Sequence, residues 1–180
     1  MSRLDDACRW LRERGAETVD HPGGTLYAHL LRVHDRLGAA GHDEAVRLAG
    51  LTHAAYGTDG FDLVLLDPAD REPLRALVGV DAERLVHLYG ACDRRRSWRN
   101  LAGTGQLVDR HTGRVETLAP GQLRPFVDLC VVNELDVMAY DPTVAQRYGD
   151  YFRTLFAAWS PVASPDVTAE ARRLLGDDGG

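Results

Sequence analysis

Three polar side chains fall where a buried helix ordinarily carries apolar ones: His29, His53 and Asp136. His29 borders the apolar stripe of Leu26, Leu30 and Val33. His53 shares a helix face with Val46, Ala49 and Gly50, whose small side chains let a second helix or a ligand come close. Asn133, Asp136 and Tyr140 recur at i, i+3 and i+7 and draw a polar line along an apolar rod. A carboxylate buried there without a partner is costly, and a metal ion or a cationic side chain would offset that cost. Each residue also has a plain reading, as a hydrogen-bonded core histidine or as a carboxylate paired with one of the 21 basic residues.

Other side chains could line the same site. Tyr56 follows His53 by three positions and Tyr140 follows Asp136 by four, so both could project beside it or pack in the core. His21, next to Pro22-Gly23-Gly24, stands on a loop entering a helix, where it could reach a substrate. Arg94, Arg95, Arg96 and Arg99 surround Trp98 in the most concentrated basic segment. Their planar guanidinium forks, Arg96 among them, suit a carboxylate or phosphate, and equally complement the end of a preceding helix.

The remaining composition narrows the chemistry. The 180 residues are 44% hydrophobic and 27% charged, as in a soluble globular chain. The net charge of −6 argues against a surface that coats nucleic acid. No apolar run reaches the ~18–20 residues that cross a bilayer. The first residues, Met-Ser-Arg-Leu-Asp-Asp, lack a signal-peptide core, and the expected location is cytoplasmic. Every basic side chain is arginine, which leaves no lysine for a Schiff base, a pyridoxal-phosphate anchor or a phosphate loop. Cys8, Cys92 and Cys130 are too scattered for a zinc knuckle or disulfide framework.

The elements that must position these groups are mostly helical. Periodicity predicts helices over 3–15, from the Thr25 cap to about 38, and from the Asp43 cap to about 56. Shorter helices follow near 70–78 and 81–93, the second with Asp81 as its cap. Residues 94–120 are the least helical, with a β-hairpin of 106–109 and 114–117 around His111-Thr112-Gly113. Helices return over 121–140, 143–158 and 166–175, the last with Ser164 as its start signal. Tyr148, Tyr151, Phe152, Leu155, Phe156 and Trp159 form an apolar face that suits the core or a homodimer. The expectation is one all-α domain over 1–176 with a small hairpin insertion and a frayed tail at 177–180.

Two stretches carry a family resemblance. Leu26-Tyr27-Ala28-His29-Leu30-Leu31-Arg32-Val33 and Leu48-Ala49-Gly50-Leu51-Thr52-His53-Ala54-Ala55-Tyr56-Gly57-Thr58 resemble the opening of the HD-domain superfamily of helical metal-binding proteins. His29 is similar to the first His of that pattern, His53 to the second, and Asp136 to its distant Asp. More narrowly, the His53–Thr58 segment and Asn133-Glu134-Leu135-Asp136 resemble the uncharacterised HD-like family DUF6817, over about residues 20–140. Asp70-Arg71 resembles a loop pair of that family, which adds Arg71 to the candidate substrate contacts. Ala54 departs from the superfamily, standing where its defining Asp belongs, and a full dinuclear centre is therefore in doubt. His34-Asp35 spells the missing dipeptide but lies on the helix of His29 and reads as a solvated helix end.

The resemblance implies an HD-like helical bundle with a pocket between the second, third and 121–140 helices. His29, His53 and Asp136 would ligate one divalent metal, Fe(II) or Mn(II) for preference, with coordination positions left open. Tyr56 would join the catalytic set. His21, Asn133, Tyr140, Arg71 and Arg96 would contact a small-molecule substrate. Oxygenase-type chemistry is the first expectation and phosphoester hydrolysis at a reduced site the second. A third is a metal-free lyase, isomerase or cyclase in which a histidine is the general base and Asp136 orients it. A degenerate ligand-binding module, without turnover, is the non-enzymatic alternative. Neither nucleic acid nor membrane is an expected partner.

Overall fold

The computed structural model describes residues 2–61 and 63–176, and the chain divides after Cys92 into two compact units. The expected tail at 177–180 lies outside the described residues.

The first unit begins with helix α1 (Arg3–Glu13), whose Ser2 side chain and Asp5 carboxylate close a reciprocal capping box. A two-residue antiparallel ribbon, β1 (Asp20–His21) with β2 (Gly24–Thr25), leads into α2 (Leu26–Ala39). Thr25 caps α2 by accepting the Ala28 N–H, and Asp43 caps α3 (Glu44–Thr52) by accepting the Val46 N–H. Helices α4 (Glu72–Val78) and α5 (Val80–Ala91) complete the unit. α3 packs on α2 and α5, and α1 packs on α3 and α4. The close approach of α2 and α3 depends on Gly50, where a Cβ would collide with the Leu37 side chain and crowd Val33. The apolar stripe of Leu26, Leu30, Val33 and Leu37 is fully buried there, as its periodicity predicts.

The second unit opens with short helical turns, α6 (Arg94–Ser97), a 3-10 turn (Trp98–Asn100) and α7 (Leu101–Thr104). Next come the antiparallel strands β3 (Gln106–Val108) and β4 (Val115–Thr117), the hairpin expected here, with Gln106 paired to Thr117 and Val108 to Val115. Asp109 shapes the connecting turn by accepting the His111 and Thr112 N–H groups at 2.8 and 2.9 Å. Helices α8 (Pro120–Tyr140), α9 (Pro142–Trp159) and α10 (Pro165–Leu175) then pack on one another. Each of the three starts at a proline, whose fixed φ and missing N–H cost nothing at that position. Of the apolar face on α9, Phe152, Leu155, Phe156 and Trp159 are buried, while Tyr148 and Tyr151 stand exposed.

Three local expectations change. α3 ends at Thr52, not near Tyr56, and residues 53–56 form a turn. Gly79, at φ +93°, precedes α5, and Asp81 sits inside its first turn with no capping bond. Ser164 stands at the N-cap of α10, as its start signal predicts, but its side chain makes no capping bond; its N–H and hydroxyl both donate to the buried Asp128 carboxylate, which ties α10 to α8. The β1–β2 ribbon was not expected, although His21-Pro22-Gly23-Gly24 carries the signal for it. Pro followed by a glycine at φ +80° is the composition of a type II turn.

Candidate functional site

Two polar clusters stand in the first unit, and both grow from the ends of its helices. The first is a run of imidazoles. The β1–β2 ribbon sets His21 against His29, with ring centroids 4.0 Å apart and planes inclined by 24°. His29, on the first turn of α2, meets His53 edge to face at 5.3 Å. His53 meets Tyr89 of α5 in the same manner at 5.1 Å, and Phe61 closes on His21 at 5.9 Å. His29 and His53 are buried, at 1% and 3% exposure, whereas His21 is half-buried. Arg32 holds the ribbon in place, donating to the carbonyls of Pro22 and Gly23 at 3.0 and 3.3 Å.

The early end of α3 gives His53 its orientation. Its Nδ1 lies 2.7 Å from the Gly50 carbonyl oxygen, which can only accept, so Nδ1 carries the proton. In the neutral ring the lone pair then belongs to Nε2.

The second cluster is charged. Glu83 of α5 is completely buried, and Arg71 grips it through two bonds, Nε to Oε1 at 2.6 Å and Nη2 to Oε2 at 2.7 Å. The Tyr56 hydroxyl donates to Oε1 at 2.9 Å, and Arg75 reaches Oε2 at 3.4 Å. Burial pushes the Glu83 carboxyl up, but the bonds from Arg71 and Tyr56 and the guanidinium charges outweigh it and hold it below its ordinary value. Burial first, and then the bond to Glu83, push the Tyr56 phenol well above its ordinary value. Tyr56 and Arg71 are therefore neighbours, as members of an ionic network. Glu83 is the residue that sequence reasoning missed. Its signal is an acid on the apolar face of α5, three positions before Val86 and seven before Gly90.

The other candidates belong to the second unit. On α8, Asp136 is fully buried and Asn133 nearly so, its amide donating to Glu134 at 3.0 Å. Arg94 also donates to Glu134, at 2.9 Å, and lies over the Trp98 ring. Tyr140, the last residue of α8, is 48% exposed. Arg96 is exposed on α6, its N–H taken by the Asp93 cap. Among the described residues, no three or more His, Cys, Asp or Glu side chains are grouped to hold a metal ion. His34, on the α2 face, is buried and bonds its exposed neighbour Asp35 at 2.8 Å. It is thus less solvated than its place in the sequence implied.

No described helix is long and apolar enough to cross a membrane. Residues 10–94 match the family model described as Domain of unknown function (DUF6817), a span that takes in both clusters of the first unit and ends before the Asn133–Asp136 stretch. No curated protein and no solved structure matches the chain.

Proposed function

We propose that this DUF6817 domain is an HD-like small-molecule enzyme whose histidines move a proton on the substrate. The observation that supports the reading is the continuous contact of His21, His29 and His53, with Nδ1 of His53 committed to the Gly50 carbonyl. The His53 ring so anchored has its orientation set before any substrate arrives, and it acts as the base when neutral. His21, half-buried on the β1–β2 ribbon, is the substrate's first contact, with His29 lying between the two. Tyr56 keeps its proton at neutral pH and serves by fixing the turn that follows His53, through Glu83.

A mononuclear Fe(II) or Mn(II) centre on His29, His53 and Asp136, doing oxygenase or hydrolase chemistry, is the competing reading.

The decisive experiment is turnover of a small-metabolite panel that includes phosphoesters. It is run with protein stripped by chelator and with protein resupplied anaerobically with Fe(II) or Mn(II). Turnover is expected to survive stripping and to fall at least ~100-fold in His53→Gln. Turnover that needs added metal and vanishes in Asp136→Ala would replace the acid–base reading with the metal one. Saturable binding without turnover under either condition would make the domain a ligand-binding module.

A further inference from the structure

A groove lies between α9 and α10, lined by residues of the second unit alone. It encloses about 440 Å³, inside the ~300–1,000 Å³ range of small-molecule pockets. Its chemistry follows from helical spacing. Thr168, Ala171, Arg172 and Leu175 recur at i, i+3, i+4 and i+7 on one face of α10, and Arg153 and Phe156 face them from α9. Phe156, Ala171 and Leu175 give an apolar floor, and two guanidinium groups stand at its edge.

Arg153 is already oriented. Its Nε donates to the Leu175 carbonyl at 2.8 Å, and its Nη1 donates to Asp150 at 2.7 Å. The Thr168 hydroxyl oxygen is buried, with no hydrogen-bond partner among the described residues. It lies beneath the wall of the groove, out of a ligand's reach.

The geometry points to a binding site for a small carboxylate with an apolar body, of the medium-chain or aryl type. The carboxylate lies between Arg153 and Arg172, while the body covers Phe156 and Leu175. Guanidinium groups match a carboxylate in charge, and the floor adds affinity only for an anion with an apolar part.

The test uses the full chain labelled with ¹⁵N-arginine, following the Nε–H resonances during titration with octanoate, 1-octanol or acetate. Octanoate is expected to shift Arg153 and Arg172 saturably, with 1-octanol and acetate each at least about tenfold weaker. Ala157→Leu fills the groove from an exposed position that lines it and is expected to weaken octanoate about tenfold, with the melting temperature unchanged. Arg153→Gln is expected to erase the preference for octanoate over 1-octanol. Equal response to octanoate and 1-octanol would overturn the proposal. So would equal response to octanoate and acetate, unsaturable shifts, or unaltered binding in Ala157→Leu.

Discussion

Two buried glutamates, one in each unit, are held by arginine to different degrees. Glu83 in the first unit has no exposed surface, and both its oxygens are engaged, by Arg71, Arg75 and Tyr56. Glu134 in the second keeps 7% of its surface, and its Oε1 receives Arg94 and Asn133. The contrast follows from desolvation. A carboxylate removed wholly from water must recover its hydration from several charge-assisted donors, whereas one at the edge of the interior needs fewer. The deeper network also lies beside the histidines, since Tyr56 follows His53 by a single turn and carries the bond to Glu83.

Removing a partner from each network should reveal the difference in depth. Arg71→Ala leaves a buried carboxylate without its bidentate donor, and a loss of about 3–5 kcal/mol in denaturant unfolding is expected. The same network has a pH signature. The folded Glu83 carboxyl titrates below its ordinary value, while the unfolded chain titrates near ~4.3. Its contribution is therefore complete above about pH 4.3 and disappears as pH falls through the lower folded value. Unfolding followed against pH should show that acid limb in the wild type and a reduced one in Glu83→Gln.

Arg94→Ala should cost less, about 1.5–3 kcal/mol, because Glu134 keeps Asn133 and some water. A loss equal to that of Arg71→Ala would break the comparison. The smallest effect is expected for Tyr56→Phe, about 1 kcal/mol in the same assay, since Arg71 still satisfies both Glu83 oxygens. If that variant also reorients His53, detected as a change in its imidazole ¹⁵N shifts, the coupling of the two clusters is established.

Much of the scaffold was legible because its signals are local. Thr25 and Asp43 cap the helices expected of them, and Pro120, Pro142 and Pro165 each open a helix within one residue of its expected start. The hairpin around Gly113 follows from Asp109 and a glycine at φ +71°. The failures were also local in form but not in cause. Ser164 stands at the N-cap of α10 as expected, yet its hydroxyl turns to Asp128, 36 positions earlier, and makes no capping bond. α3 stops four residues early because His53 turns back on Gly50, while the loop beyond returns through the Leu65 and Leu66 N–H groups to the Ala55 carbonyl.

For the candidate site, residue type and helical spacing singled out His29 and His53, the loop beside Pro22 added His21, and the family match bears out the DUF6817 resemblance over residues 10–94. Sequence by itself determined most of the helices, the caps at Thr25 and Asp43, the second hairpin and the absence of lysine chemistry, because each depends on residue identity or on neighbours within a turn or two. Tertiary structure alone decided that His21 stacks on His29, that Tyr56 and Arg71 converge on Glu83, and that Arg94 serves Glu134. Those partners lie 8 to 40 positions apart in the chain. No local propensity sets such distances; packing sets them, and it leaves a buried charge only where donors from distant segments arrive together.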